Sequence, residues 1–149
     1  MTADELIAAL GLAPHPEGGY FREVFRSTSR IPPLDGRSDR SALTTIYFLL
    51  KAGDVSRGHR VASDEVWHFC GGAPLELSTS ADAAFDPVTR RLLGPYDGRT
   101  EPVRVVAAGT WQSARSMGDY TLAGCTVGPG FEFDDFELRG AGAPGRSDH

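Results

Sequence analysis

The chain has 149 residues, 40% hydrophobic and 23% charged, with a net charge of −5, which suits one compact domain that hides roughly two thirds of its unfolded surface. Its single lysine, Lys51, stands beside fourteen arginines scattered along the sequence, so the concentrated basic face that nucleic acid binding requires is missing. No run of about eighteen apolar residues offers a membrane span, and the acidic start MTADELIAALGL lacks the charged and apolar stretches of a signal peptide.

That start reads as a short helix, with Thr2 and Glu5 as a capping box ahead of Leu6, Ile7 and Leu10. A Pro/Gly-rich link, 13–19, leads into the strand YFREVFRS. There Tyr20, Arg22, Val24 and Arg26 share one face and Phe21, Glu23 and Phe25 the other. Residues 28–41 are polar and turn-rich and read as a mobile loop. ALTTIYFLL is β-branched and aromatic, which suits a central strand buried on both sides. From Arg57 onward short strands alternate with turn signals: RGHRV, EVWHFC, LELSTS, a hairpin turn at Asp86–Thr89, then VRVVA, TWQSA and YTLAGCTV. This spacing predicts an all-β fold, a single-domain jelly-roll β-barrel over residues 1–139 with a short N-terminal helix. The tail 140–149 reads as disordered. Cys70 and Cys125 lack zinc or redox spacing and read as buried free thiols, which points to the cytoplasm.

The segment Gly53 to Gly72, GDVSRGHRVASDEVWHFCGG, resembles the metal-site motif of a cupin barrel. Gly53, His59, Glu65 and Gly71 or Gly72 fall in register, but Val61 stands where a second histidine is usual. VVAAGTWQSA, Val105 to Ala114, resembles the second half of that signature with Ala107 for proline and Gln112 for histidine. The words LGLAPHPEGGYFREVFRS, TTIYFLL, HRVASDEVWHF, AGTWQSA and TLAGCTVGPGFEFDDFEL resemble one branch of the superfamily, the small cupins of the DUF985, or cupin 5, family. The resemblance implies a small-molecule ligand and a homodimer, since cupins commonly pair through edge strands and pairing covers an open sheet edge.

Strand parity places Glu65, Trp67 and Phe69 on one face and Val66, His68 and Cys70 on the other. His59 and Val61 share a face, as do Thr110, Gln112 and Ala114. The inferred pocket then has polar tips His59, Glu65 and Gln112 among the walls Val61, Trp67 and Phe69. No cofactor is expected. Were a divalent metal held, His59, Glu65 and Gln112 would be its ligands, and an amide is a weak one. His68 joins them only if a bulge at Asp64 or Glu65 reverses the parity.

The leading reading is a metal-independent acid/base enzyme, isomerase- or epimerase-like, acting on a small polar, sugar- or nucleotide-like molecule. His59 serves as base, Glu65 as its acid/base partner and Gln112 as an orienting donor. ArgGlyHis, 57–59, resembles the Arg-Gly-Leu-His word of metal-free sugar-nucleotide epimerases, one residue shorter, and this too implies His59 as base. Tyr47, Tyr20 and Tyr120 are candidate proton donors. Glu17 and Arg22, in HPEGGYFRE, either contact the ligand or form a structural ion pair at a glycine turn. His15 falls in a loop, and Trp111 reads as core or interface. Two alternatives stay open: a non-catalytic ligand-binding module, and a metal-dependent oxygenase or isomerase with a degenerate ligand set.

Overall fold

The computed structural model describes residues 1–140; residues 141–149, nearly all of the expected tail, lie outside the described residues. Helix α1 (Ala3–Leu10) starts at the expected capping box: the Thr2 side chain accepts the Glu5 N–H and the Glu5 carboxylate accepts the Thr2 N–H. It stops at Gly11, whose left-handed φ of 65° suits a residue without a Cβ. None of the described helices is long and apolar enough to cross a membrane.

Two six-stranded sheets make the expected jelly roll. The first runs β1 (Ala13–Pro14), β2 (Tyr20–Arg26), β5 (Thr44–Lys51), β13 (Tyr120–Gly128), β7 (Asp64–Gly72) and β11 (Val103–Val106). The second runs β10 (Thr100–Glu101), β9 (Thr89–Leu93), β8 (Leu75–Ser80), β12 (Trp111–Ser116), β6 (Val55–Val61) and β14 (Phe136–Leu138). Between them lies a core of Phe48, Leu50, Trp67, Leu75, Leu77, Leu93, Val106, Ala114, Ala123 and Cys125. Phe48, Leu49 and Leu50 of β5 are all buried, as its unbroken apolar run predicts for a strand covered on both faces. Helix α1 lies against that strand.

Three local features bear on the site. Within β2 the pairing with β5 slips between Glu23 and Phe25, so one extra residue is accommodated and the alternation reverses beyond it. Along β7 the ladder to β13 runs unbroken from Asp64 to Phe69, so the parity around Glu65 stays as read from the sequence and His68 stays outside. Finally, 28–41 carries the two-stranded ribbon β3 (Arg30–Ile31) and β4 (Arg40–Ser41). Its far end is tied down: both Asp135 carboxylate oxygens accept from Arg40, each at 3.0 Å, and Arg37 lies 2.9 Å from Asp135 Oδ2. These contacts anchor the short 3-10 turn Phe133–Asp135 and β14 across one end of the sandwich. Cys125 is buried as expected, but Cys70 is exposed, because it falls on the outer face of β7.

Candidate functional site

A cavity of about 110 Å³ opens at that end of the sandwich. Its inner polar groups are His15 and Glu17 from the glycine-rich link, Thr44 from β5, His59 from β6, Glu65 from β7 and Cys125 from β13, with Glu23, Arg26 and Glu132 at the mouth. Ile46, Val61, Val127 and four phenylalanines supply the apolar wall. An engineered cavity of about 150 Å³ takes benzene, so the enclosed end has room for about four or five non-hydrogen atoms.

His59 is 2% exposed, and its Nδ1 lies 2.7 Å from the Arg57 carbonyl oxygen. A carbonyl only accepts, so Nδ1 carries the proton and Nε2 is left as an unprotonated acceptor. Burial holds the ring neutral, lowering its pKa to about 4 against a smaller opposing pull from the Arg57 carbonyl. The ring stacks on Phe136 at 5.3 Å, which fixes its plane.

Glu65 is 7% exposed and its Oε1 accepts from Gln112 Nε2 at 2.8 Å. Gln112 Oε1 in turn accepts the indole N–H of Trp67 at 3.0 Å. The indole can only donate, which settles the orientation of the amide. Burial raises the pKa of Glu65, opposed by the hydrogen bonds from Gln112 and Cys125. Glu17 is raised well above the ordinary carboxyl value, first by burial and then by the nearby Glu65, against a pull from Arg57. The Ser56 hydroxyl donates to Glu17 Oε2.

Both imidazoles lie 3.5 Å from Glu17 oxygens, yet neither contact is an ion pair. The His15 Nδ1 already accepts the Glu17 backbone N–H at 3.1 Å, and burial lowers the His15 pKa to about 4, with His59 adding to the effect. His15 is therefore a neutral ring whose remaining nitrogen donates, while His59 is a neutral ring whose remaining nitrogen accepts.

The link that delivers His15 and Glu17 depends on Gly18, at φ 111°. A Cβ there would stand 2.2 Å from the Val55 carbonyl oxygen, on the strand whose Arg57 N–H bonds the Glu17 carbonyl at 2.7 Å. Gly18→Ala is therefore expected to cost at least about 2 kcal/mol and to displace Glu17. Chemical denaturation reads the first effect, and an unchanged unfolding midpoint would count against it.

The structure brings together four residues singled out from the sequence: His59, Glu65, Val61 and Glu17. Gln112, 1% exposed, sits one layer behind them, its amide saturated by Trp67 and Glu65. Trp67 belongs to the core and Phe69 packs at the core's margin, so neither lines the cavity. Tyr47 and Arg22 lie outside it: Ile46 and Phe21 point inward, so their strand neighbours point out, where the Arg22 guanidinium covers the Tyr47 ring at 5.5 Å. Tyr20 and Tyr120 do not line it either. Trp111 is buried beneath Arg60, whose guanidinium lies 4.9 Å from its ring. Sequence reasoning missed His15, Phe21, Cys125 and the aromatic segment 131–136. For His15 the available signal was its place two residues before Glu17 in a glycine-framed word.

The set His59, Glu65 and Gln112 does not fit a metal ion. The atom Gln112 presents to Glu65 is its donor nitrogen, and its oxygen is engaged by Trp67. Among the described residues no group of three or more His, Cys, Asp and Glu is placed to hold an ion.

The family model described as "Cupin superfamily (DUF985)" matches residues 4–139. A hypothetical protein from Leishmania major is 35% identical, with 92% of this chain and 86% of that one covered and a TM-score of 0.82. A protein from Shewanella oneidensis is 36% identical, with 93% and 84% covered and a TM-score of 0.82. Oxalate decarboxylase from Bacillus subtilis shares the fold at 15% identity, with 84% of this chain and 29% of that one covered and a TM-score of 0.60. Comparison with curated proteins found no match.

Proposed function

This chain belongs to the DUF985 family of the cupin superfamily, and on that premise we propose that it binds a small polar molecule and isomerises it by proton transfer between its own side chains. The observation that carries the reading is the opposed state of the cavity's titratable groups. His59 offers an unprotonated Nε2, while burial favours the acid form of Glu65 and, more strongly, of Glu17. A base and an acid held apart in this way are what proton abstraction beside a carbonyl, and its return, require. In this reading His59 takes the proton, Glu65 polarises the acceptor oxygen or returns a proton, and Gln112 positions Glu65 without touching the ligand.

The size of the enclosed space supports a small substrate, or the small reactive end of a larger one. The test is deuterium wash-in: a panel of small hydroxy- and amino-carbonyl compounds is incubated with the protein in D2O, and exchange at the carbon beside the carbonyl is followed by NMR. Exchange is expected with the wild-type protein and is expected to be slowed about 10²–10⁴-fold in His59→Ala and Glu65→Gln. Exchange that proceeds undiminished in both variants removes the proposal. A saturable ligand recovered without exchange would instead assign the pocket to recognition alone.

A further inference from the structure

The cavity wall has a composition that proton transfer alone does not call for. Phe21, Phe131, Phe133 and Phe136 surround it together with two neutral imidazoles. Their planes stand across one another: Phe131 and Phe133 at 83° with centroids 4.9 Å apart, Phe133 and Phe136 at 74°, His15 and Phe21 at 72°. Rings set nearly at right angles to one another wall the cavity on several sides. A π face attracts a cation within about 6 Å of its centroid, and does so more strongly once the cation is desolvated.

The same cavity holds Glu17 and Glu65, 8% and 7% exposed, close enough for the charge of Glu65 to disfavour that of Glu17. Among the described residues no free cation lines the cavity beside them. The groups around the pair are His15 from the link, Ser56 and His59 from β6, Gln112 from β12 and Cys125 from β13. Arg26 reaches the mouth, but Glu23 at 2.7 Å and Glu132 at 2.8 Å already engage it, which leaves that rim one net negative charge. Arg57 donates to the Pro16 carbonyl and does not line the cavity. The charge of Arg57 acts on Glu17 from behind the cavity wall, and a buried pair of carboxyls that meets no unengaged cation among the described lining residues gains most from a positively charged occupant.

We propose that the pocket receives a small cation, a primary- or quaternary-ammonium group of about four or five non-hydrogen atoms, held by the aromatic wall and by the Glu17–Glu65 pair. One carboxyl ionises against the ligand and releases its proton to solvent; the other keeps its proton. The inference rests on this cavity being the substrate site, and it names the substrate class as a small ammonium compound.

Three probes built on the same compact, methyl-substituted centre test it by NMR titration of the isotope-labelled protein: tetramethylammonium, uncharged tert-butanol and the slightly larger anion pivalate. Tetramethylammonium is expected to shift the cavity amides and to bind at least about ten-fold more tightly than tert-butanol, with pivalate weakest. Glu17→Gln and Glu65→Gln are each expected to lower ammonium affinity at least about ten-fold while leaving tert-butanol within about two-fold. Binding of pivalate or tert-butanol as tightly as the ammonium overturns the proposal. So does ammonium binding that both glutamine variants leave unchanged, or no shift of the cavity amides at an ammonium concentration on the order of 0.1 M. These titrations involve no turnover. Cation selectivity in a protein without exchange activity upholds the inference and removes the catalytic reading, whereas His59-dependent exchange on an uncharged or anionic compound with no ammonium binding does the reverse.

Discussion

Gln112→Leu is expected to destabilise the protein by about 2–6 kcal/mol, one to three for each of two buried groups that lose a hydrogen bond. The indole N–H of Trp67 loses its acceptor and Glu65 loses its donor, and all three residues are under a tenth exposed. Trp67→Phe removes the donor instead and leaves the amide oxygen unpaired, at an expected cost of about 1–3 kcal/mol for that atom. The double variant leaves only Glu65 short of a partner, so its loss is expected to be smaller than the sum of the two single losses. Urea unfolding midpoints of the four proteins decide this. Strictly additive losses would mean that the three side chains do not act as one relay. Losing the amide also leaves Glu65 with one hydrogen bond fewer to its charged form, so its acid form is favoured still further.

That relay shows how far the sequence could be read. The alternation in HRV and EVWHFC correctly turned His59, Val61 and Glu65 to the interior, because side-chain period in an unbroken stretch of strand depends on local geometry alone; the register slip in β6 falls just before His59. The same rule put Gln112 on the correct face. It could not say that the amide would be saturated from both sides, since Trp67 and Glu65 reach it from a different sheet. Parity was also available to exclude Arg22 and Tyr47, once Phe21 and Ile46 were assigned inward.

Arg26 was not legible in that way. YFREVFRS reads as one uninterrupted alternation that keeps Arg26 with Arg22, yet the slip between Glu23 and Phe25 carries it to the rim of the cavity, opposite Thr44. A bulge of this kind is set by the partner strand, which simple alternation does not encode. The aromatic wall has the same origin. Phe131, Phe133 and Phe136 reach the pocket because Asp135 is clamped by Arg37 and Arg40, and because the Phe131 N–H donates to Thr44 Oγ1 at 2.9 Å. Each is a contact between positions some ninety apart in the chain, visible only when the fold has closed.

His59→Ala is expected to lower turnover about 10²–10⁴-fold on any compound the wild-type protein exchanges, and free imidazole is expected to restore part of it. Rescue matters because the substitution also opens a hole against Phe136, and a purely structural loss would not respond to an added base. The pH profile supplies an independent check. The base must be neutral to act, so kcat/KM should rise with pH through about 4, where His59 loses its proton. The acid must hold its proton, so the profile should fall at a pH above the ordinary carboxyl range, where Glu65 ionises. Glu65→Gln should abolish the falling limb and His59→Ala the rising one. His15 has a pKa lowered to the same value of about 4, but its Nδ1 is occupied by the Glu17 N–H, so it has no lone pair to offer the ligand. His15→Ala should therefore weaken binding and leave the rising limb in place. A rising limb lost with His15 and kept without His59 would reassign the base.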